Sequence, residues 1–275
     1  SIGGSNPVTF TNSGGNVFTY NTTVSSGTSA GNKSLACEIV DDQNRTGSTS
    51  INLTVVSVIP IGTVNGAVAD TDDGTLHRSP YAPASGNGAG STVVTVRGVI
   101  YERTYQAIAN STNYYNGFFI QNTLATADGD STTSDGLYVF MNTASTIPGP
   151  NGAYTPTVGD EIVLSGSISE YYYMTEMQSP GLAVVQVIRS GVNLDTELPA
   201  FDANPPTSLA DANRYWERRQ GMRGQIPANS IVLNGRNVFS PADAEIWLAR
   251  PDSTIAGRPE PFQRRAFRDA QPLDD

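Results

Sequence analysis

Thr92-Val93-Val94-Thr95-Val96-Arg97-Gly98-Val99-Ile100 is the stretch on which the fold turns. Val94, Val96 and Ile100 fall on one face at the two-residue period of a half-buried strand, and Gly98 interrupts that face. A glycine inside a strand marks a bulge or a sharp coil. Four more strand patterns follow at 117–121 (GFFIQ), 136–141 (GLYVFM), 161–168 (EIVLSGSI) and 183–188 (AVVQVI), with Val158-Gly159-Asp160 as the turn into the third of them. A three-strand meander opened by a coiled first strand, with two further strands, predicts an OB-like five-stranded barrel over residues 58–200. Another small barrel or a sandwich satisfies the same pattern.

Upstream, residues 1–57 read as short strands with turn punctuation. Val8-Thr9-Phe10 and Val17-Phe18-Thr19-Tyr20 alternate around Gly14-Gly15. Ser34 to Val40 and Ser50 to Val55 flank the turn at Asp41 to Gly47. This hairpin resembles the last strands of bacterial immunoglobulin-like surface repeats. A full sandwich needs about seven strands, so the expectation is a partial immunoglobulin-like domain, joined to the barrel by an Ile59-Pro60-Ile61-Gly62 linker. Cys37, in an apolar strand, reads as a small buried hydrophobe.

Downstream, residues 201–275 read as a mixed, Arg-containing extension with one short helix. Leu209 to Gln220 is the helix, capped by Ser208 with Asp211 as a capping-box partner. Short strands are expected at 230–233 and 245–248. Trp216 and Met222 read as core. The whole chain is therefore expected to be mostly β.

Composition narrows the function classes. The chain has 275 residues, a net charge of −10, one His and one Cys. A zinc finger, a His-rich metal site and an internal disulfide are excluded. No run approaches the roughly 20 apolar residues that span a bilayer as a helix. The polar bulk is Ser, Thr, Asn and Gly, and Lys33 is the only lysine. That surface suits an extracellular or cell-envelope protein. Ser1 opens on neither a charged n-region nor an apolar h-region, so a removed leader, or a piece of a longer polypeptide, is expected. Charge is uneven: residues 1–202 carry a net −11 and residues 203–275 a net +1.

Five further pieces stand in order: Val96-Arg97-Gly98-Val99-Ile100; Gly117 to Gln121; Asp128-Gly129-Asp130 leading to Ser134 to Val139; Val158 to Ile162 with Leu164-Ser165-Gly166 and Thr175-Glu176-Met177-Gln178; and Trp216 to Met222. Together they resemble the OB-fold region of large secreted bacterial endonucleases of the extracellular ExeM/NucH type. The resemblance covers roughly residues 58–275. It implies an accessory region preceding a catalytic domain that uses acids, Asn and paired His. With His77 alone, this chain lacks that phosphodiesterase site, so a non-catalytic role is expected, positioning an assembly or weakly holding nucleic acid. The alternative is a structural, calcium-stabilised subunit of an S-layer-like surface complex, with other envelope proteins as partners.

Several constellations carry these readings. Asp128, Asp130 and Asp135 share one Gly-containing loop and offer hard oxygen ligands of the kind calcium takes, though not at EF-hand spacing. Asp70, Asp72 and Asp73 before Gly74 form a second set. A solvated acidic loop is the plainer account of either set. Tyr171, Tyr172 and Tyr173, with Tyr101, Tyr105, Tyr114, Tyr115 and Phe119, form a candidate stacking platform for single-stranded nucleic acid. Arg97 and Arg103 are the nearby cations. Sugar binding suits exposed tyrosines without positive charge, and simple packing is the third account. Arg218 and Arg219, with Arg223, are a candidate phosphate patch. No pair of carboxylates stands out for catalysis.

Overall fold

The computed structural model of the chain describes residues 11–12, 14–15, 18–19, 28–40, 43–72, 74–108, 110–198, 200–232, 237–240 and 243–249. The protein is mostly β, and the chain divides into two compact units, residues 1–57 and 58–275. In the first, β1 (Thr11–Asn12) pairs antiparallel with β2 (Phe18–Thr19), and β3 (Gly31–Val40) with β4 (Thr46–Val55). Among the described residues of this unit, the strands are these two pairs and not the seven of a sandwich. Val8 to Phe10, Val17, Tyr20 and Asp41-Asp42 lie outside the described residues. Cys37 is half-buried rather than enclosed, and its thiol points to the Leu35 carbonyl oxygen at 3.8 Å.

The second unit opens with α1 (Ile61–Asn65) and is built on five long strands. These are β5 (Val93–Ala107), β6 (Tyr114–Gln121), β7 (Gly136–Phe140), β10 (Glu161–Tyr171) and β11 (Met174–Arg189); the short hairpin of β8 (Ile147–Gly149) and β9 (Gly152–Tyr154) lies between β7 and β10. They close into a barrel in the order β10-β11-β7-β6-β5, with β11 parallel to β7 and every other barrel pair antiparallel. Counted along the chain this is 1-2-3-5-4-1, the connectivity of the expected OB-like barrel. Alternation decides what fills it. Val94, Val96, Ile100, Phe118, Ile120, Leu137, Val139, Ile162, Leu164, Ile168 and Met177 meet inside, all 6% exposed or less. Each such side chain removed from water contributes about 1.5–3 kcal/mol.

Three local expectations are corrected. Ile59 to Gly62 is not a bare linker. Ile59 bridges Val96, and Ile61 and Val64 on α1 are fully buried in the barrel core. Gly98 does not itself carry the bulge, which falls between Ile100 and Glu102. A Cβ at Gly98 would instead crowd Ile61, Ile120 and the Gln121 carbonyl, so the glycine admits α1. The fifth strand is longer than 183–188. β11 starts at Met174, and the step at Pro180-Gly181 is absorbed where the register shifts opposite Gly166. Proline has no N–H to give the ladder, so it sits where the ladder is broken.

The rest of the unit comprises α2 (Leu194–Glu197), β12 (Phe201–Asp202), α3 (Leu209–Glu217), β13 (Gly224–Gln225), β14 (Ile231–Val232), β15 (Asn237–Ser240), β16 (Asp243–Glu245) and β17 (Leu248–Ala249). The Ser208 hydroxyl accepts the Asp211 N–H and caps α3. The Asp211 carboxylate turns to Arg214 instead of completing a capping box. Residues 217–223 return to the barrel. Ser134 donates to the Gln220 carbonyl at 2.6 Å, and the Arg223 N–H donates to the Gln121 side chain at 2.7 Å. Trp216 is not core: it is 46% exposed and lines an apolar cavity of about 440 Å³ with Pro205, Pro206, Ile226, Ile246 and Leu248.

Candidate functional site

Because Phe118, Ile120, Leu137 and Val139 point inward, Phe119, Tyr138, Phe140 and Tyr115 stand on the outer face of β6 and β7. Their rings form a cross-strand band. Tyr101 stacks on Phe119 with centroids 5.8 Å apart, Phe119 meets Tyr138 at 4.8 Å, and Tyr115 meets Phe140 at 5.8 Å. Gly117 makes room for the Tyr138 ring, since a Cβ there would overlap its hydroxyl. The Tyr101 hydroxyl donates to the Gly221 carbonyl at 2.8 Å, and burial pushes its ionisation up. On β11, Glu176 lies opposite Tyr138 and hydrogen-bonds Ser169 at 3.1 Å; burial raises its carboxyl.

Two hairpin ends flank this face. The β10–β11 turn is Tyr172-Tyr173, between the paired Tyr171 and Met174. Both turn residues hold positive φ, 49° and 65°. Two-residue hairpin turns with this geometry favour Asn-Gly, because a Cβ in the left-handed region costs about 1–2 kcal/mol. Here two tyrosines take that cost and remain in water, Tyr172 at 75% and Tyr173 at 43% exposure. Tyr171 packs edge-on against Tyr172 at 4.8 Å. Gln220 braces the turn, accepting the Thr175 N–H at 2.7 Å and donating to the Tyr173 carbonyl at 2.9 Å. At the Tyr114 end of β6, Tyr115 shares the face of Phe119, while the exposed Tyr105 and Tyr114 alternate to the other face with Arg103, whose guanidinium lies 5.1 Å over the Tyr105 ring.

The expected platform is thus dispersed into a half-buried band and two exposed clusters. Tyr101, Phe119 and Tyr115 belong to the band, Tyr105 and Tyr114 to one cluster, and Tyr171, Tyr172 and Tyr173 to the other. Of the expected cations, Arg103 stays with Tyr105 and the others are engaged elsewhere. Arg97 and Arg189 share the buried Glu161 carboxylate at 2.7 and 2.5 Å. Arg218 pairs with Asp70 at 2.7 Å, Arg223 with Asp195 at 2.6 Å, and Arg219 lies 4.0 Å over the Tyr215 ring. Arg218 ties α3 to Val68 and Asp70, and Arg219 packs within its own segment on Tyr215 and Phe201.

The acidic sets also part. The Arg218 guanidinium holds the Asp70 carboxyl low, Asp72 accepts the Ala69 N–H, and Asp73 lies outside the described residues. In the other loop, Asp128 and Asp130 accept bonds from their own loop. Thr132 holds the Asp130 carboxyl low. Burial, with Asp128 beside it, raises that of Asp135. Among the described residues no three His, Cys, Asp or Glu side chains are grouped to hold a metal ion. His77 is half-buried, with Nε2 3.1 Å from the Asn65 carbonyl oxygen.

Sequence reading missed Glu170, Tyr138, Glu217 and Gln220. Glu170 is fully buried and follows Ile162, Leu164 and Ile168 in the inward period, a signal visible in the alternation. One of its oxygens accepts the Ser79 N–H and the Thr175 hydroxyl, and the other has no partner. Glu217 is raised to about 8 by burial and by Glu170. Among the described residues no helix is long and apolar enough to cross a membrane. Compared with known proteins, the chain matches no family model and no curated sequence.

Proposed function

We propose that this chain is a non-catalytic accessory region, a recognition barrel that weakly holds a polymer on its aromatic face as part of a longer, nuclease-like polypeptide outside the cell. The supporting observation is the Tyr172-Tyr173 turn. Strain of this kind persists where surrounding structure enforces it and clusters at functional sites. Here two large rings are displayed to solvent beside a sheet face already lined with rings. In OB-type barrels the second and third strands and the loops joining strands 1–2 and 4–5 make the binding face, and those are the elements that carry the rings. The test measures binding of polymer ligands to the 275-residue chain, alongside a nuclease assay. Ring-dependent binding without cleavage supports the reading; cleavage by this chain alone sinks it.

A second reading, a surface subunit pinned by calcium, is favoured by one observation. Asp135 Oδ1 is buried without a hydrogen-bond partner beside Asp128. A cation bound only by the native state raises its stability. A melting temperature unmoved by millimolar calcium counts against it.

A further inference from the structure

We infer that the polymer held on the aromatic face is an uncharged polysaccharide. This rests on the recognition-barrel reading above and names its ligand. The argument starts at the β5–β6 hairpin. Residues 104–117, TYQAIANSTNYYNG, contain three tyrosines and four carboxamides, Gln106, Asn110, Asn113 and Asn116, and no charged residue. Tyr105, Tyr114 and Tyr115 are 53%, 50% and 37% exposed. The opposite cluster, Tyr171 to Thr175, is also uncharged.

This chemistry discriminates among ligands. A nucleic-acid strand draws its affinity from several Lys or Arg side chains that displace counterions. Around this face Arg97 is neutralised by Glu161, and Arg103 is stacked on Tyr105 beside the exposed Glu102. Glu176, paired opposite Tyr138, is 4% exposed and presents no carboxylate to a ligand. A polyanion therefore meets one exposed carboxylate, Glu102, and one guanidinium, Arg103, already engaged with a ring. A sugar hydroxyl is both donor and acceptor, and a carboxamide offers both functions. Tyrosine rings supply flat apolar surface for the C–H faces of pyranoses with a polar hydroxyl at the edge. The exposed tyrosines stand on two separate hairpins, β5–β6 and β10–β11, which suits a chain and not a monosaccharide.

The experiment is affinity electrophoresis of the 275-residue chain through gels containing soluble mixed-linkage β-glucan, xyloglucan, galactomannan or dextran. Binding of labelled poly(dT) is measured in parallel across about 0.05–0.5 M salt. The expected result is retardation by at least one neutral polysaccharide, unchanged by salt. Tyr115→Ala and, at the exposed tip, Tyr172→Ala each weaken it about tenfold, the scale of one lost ring stack, with melting curves showing both variants folded. Binding of poly(dT) that collapses with salt and depends on the same tyrosines, with no polysaccharide retardation, overturns the ligand and leaves the recognition barrel standing. Binding of neither polymer overturns both.

Discussion

Gly136 and Gly221 meet backbone against backbone: a Cβ at Gly136 would overlap the Gly221 carbonyl. This contact seats the segment after α3 on the start of β7, where Ser134 and Gln220 also bond. Gly136→Ala is expected to lift that segment and cost about 2–4 kcal/mol of stability. Urea unfolding measures the loss. A midpoint unchanged from the parent refutes the packing described.

The strained turn makes the opposite prediction. Tyr172 sits at φ 49° with its ring in water. Tyr172→Gly relieves about 1 kcal/mol of backbone strain and is expected to raise the melting temperature by about 2–4 °C. Polymer binding falls in the same variant. A turn built only for stability would not separate the two readouts.

Glu217 links stability to pH. Its folded-state value, about 8, lies above the ordinary carboxyl range because desolvation of the half-buried group, and then the charge of Glu170, disfavour its ionised form. Below the ordinary value both folded and unfolded chains hold the proton and this contribution is intact. As pH rises toward 8 only the folded chain keeps it, so stability declines, and the loss is complete above 8. Chemical denaturation from pH 5 to 9 is expected to show that decline, and Glu217→Gln to flatten it. An equal slope in the variant assigns the effect to another group.

Glu161 is 1% exposed and bridges Arg97 and Arg189, whose side chains are 39% and 45% exposed. Glu161→Gln leaves two guanidiniums facing a neutral amide. A fully buried pair would lose more, but here water shares the loss, so about 2 kcal/mol is expected. Thermal melting checks the value, and a drop that vanishes when Arg97 and Arg189 are both replaced by Met confirms the source.

The sequence by itself determined the barrel strands and their inward faces. Val94, Val96, Ile162, Leu164 and Ile168 alternate at a period of two, and burial of one face follows from that period wherever the strand lies. The Ser208 cap of α3 was legible for the same reason, since donor and acceptor are three residues apart. Only the tertiary structure decided what the charged and aromatic residues do. Arg218 finds Asp70 across 148 residues of chain, and Glu217 finds Glu170. These pairings make Arg218 a brace across the unit and set Glu217 half-buried near a second acid. The Tyr172-Tyr173 backbone is likewise set by the register of the two strands it joins, against local preference. A side chain's period is written in its neighbours along the chain. Its charge environment and its strain depend on groups that barrel closure brings together.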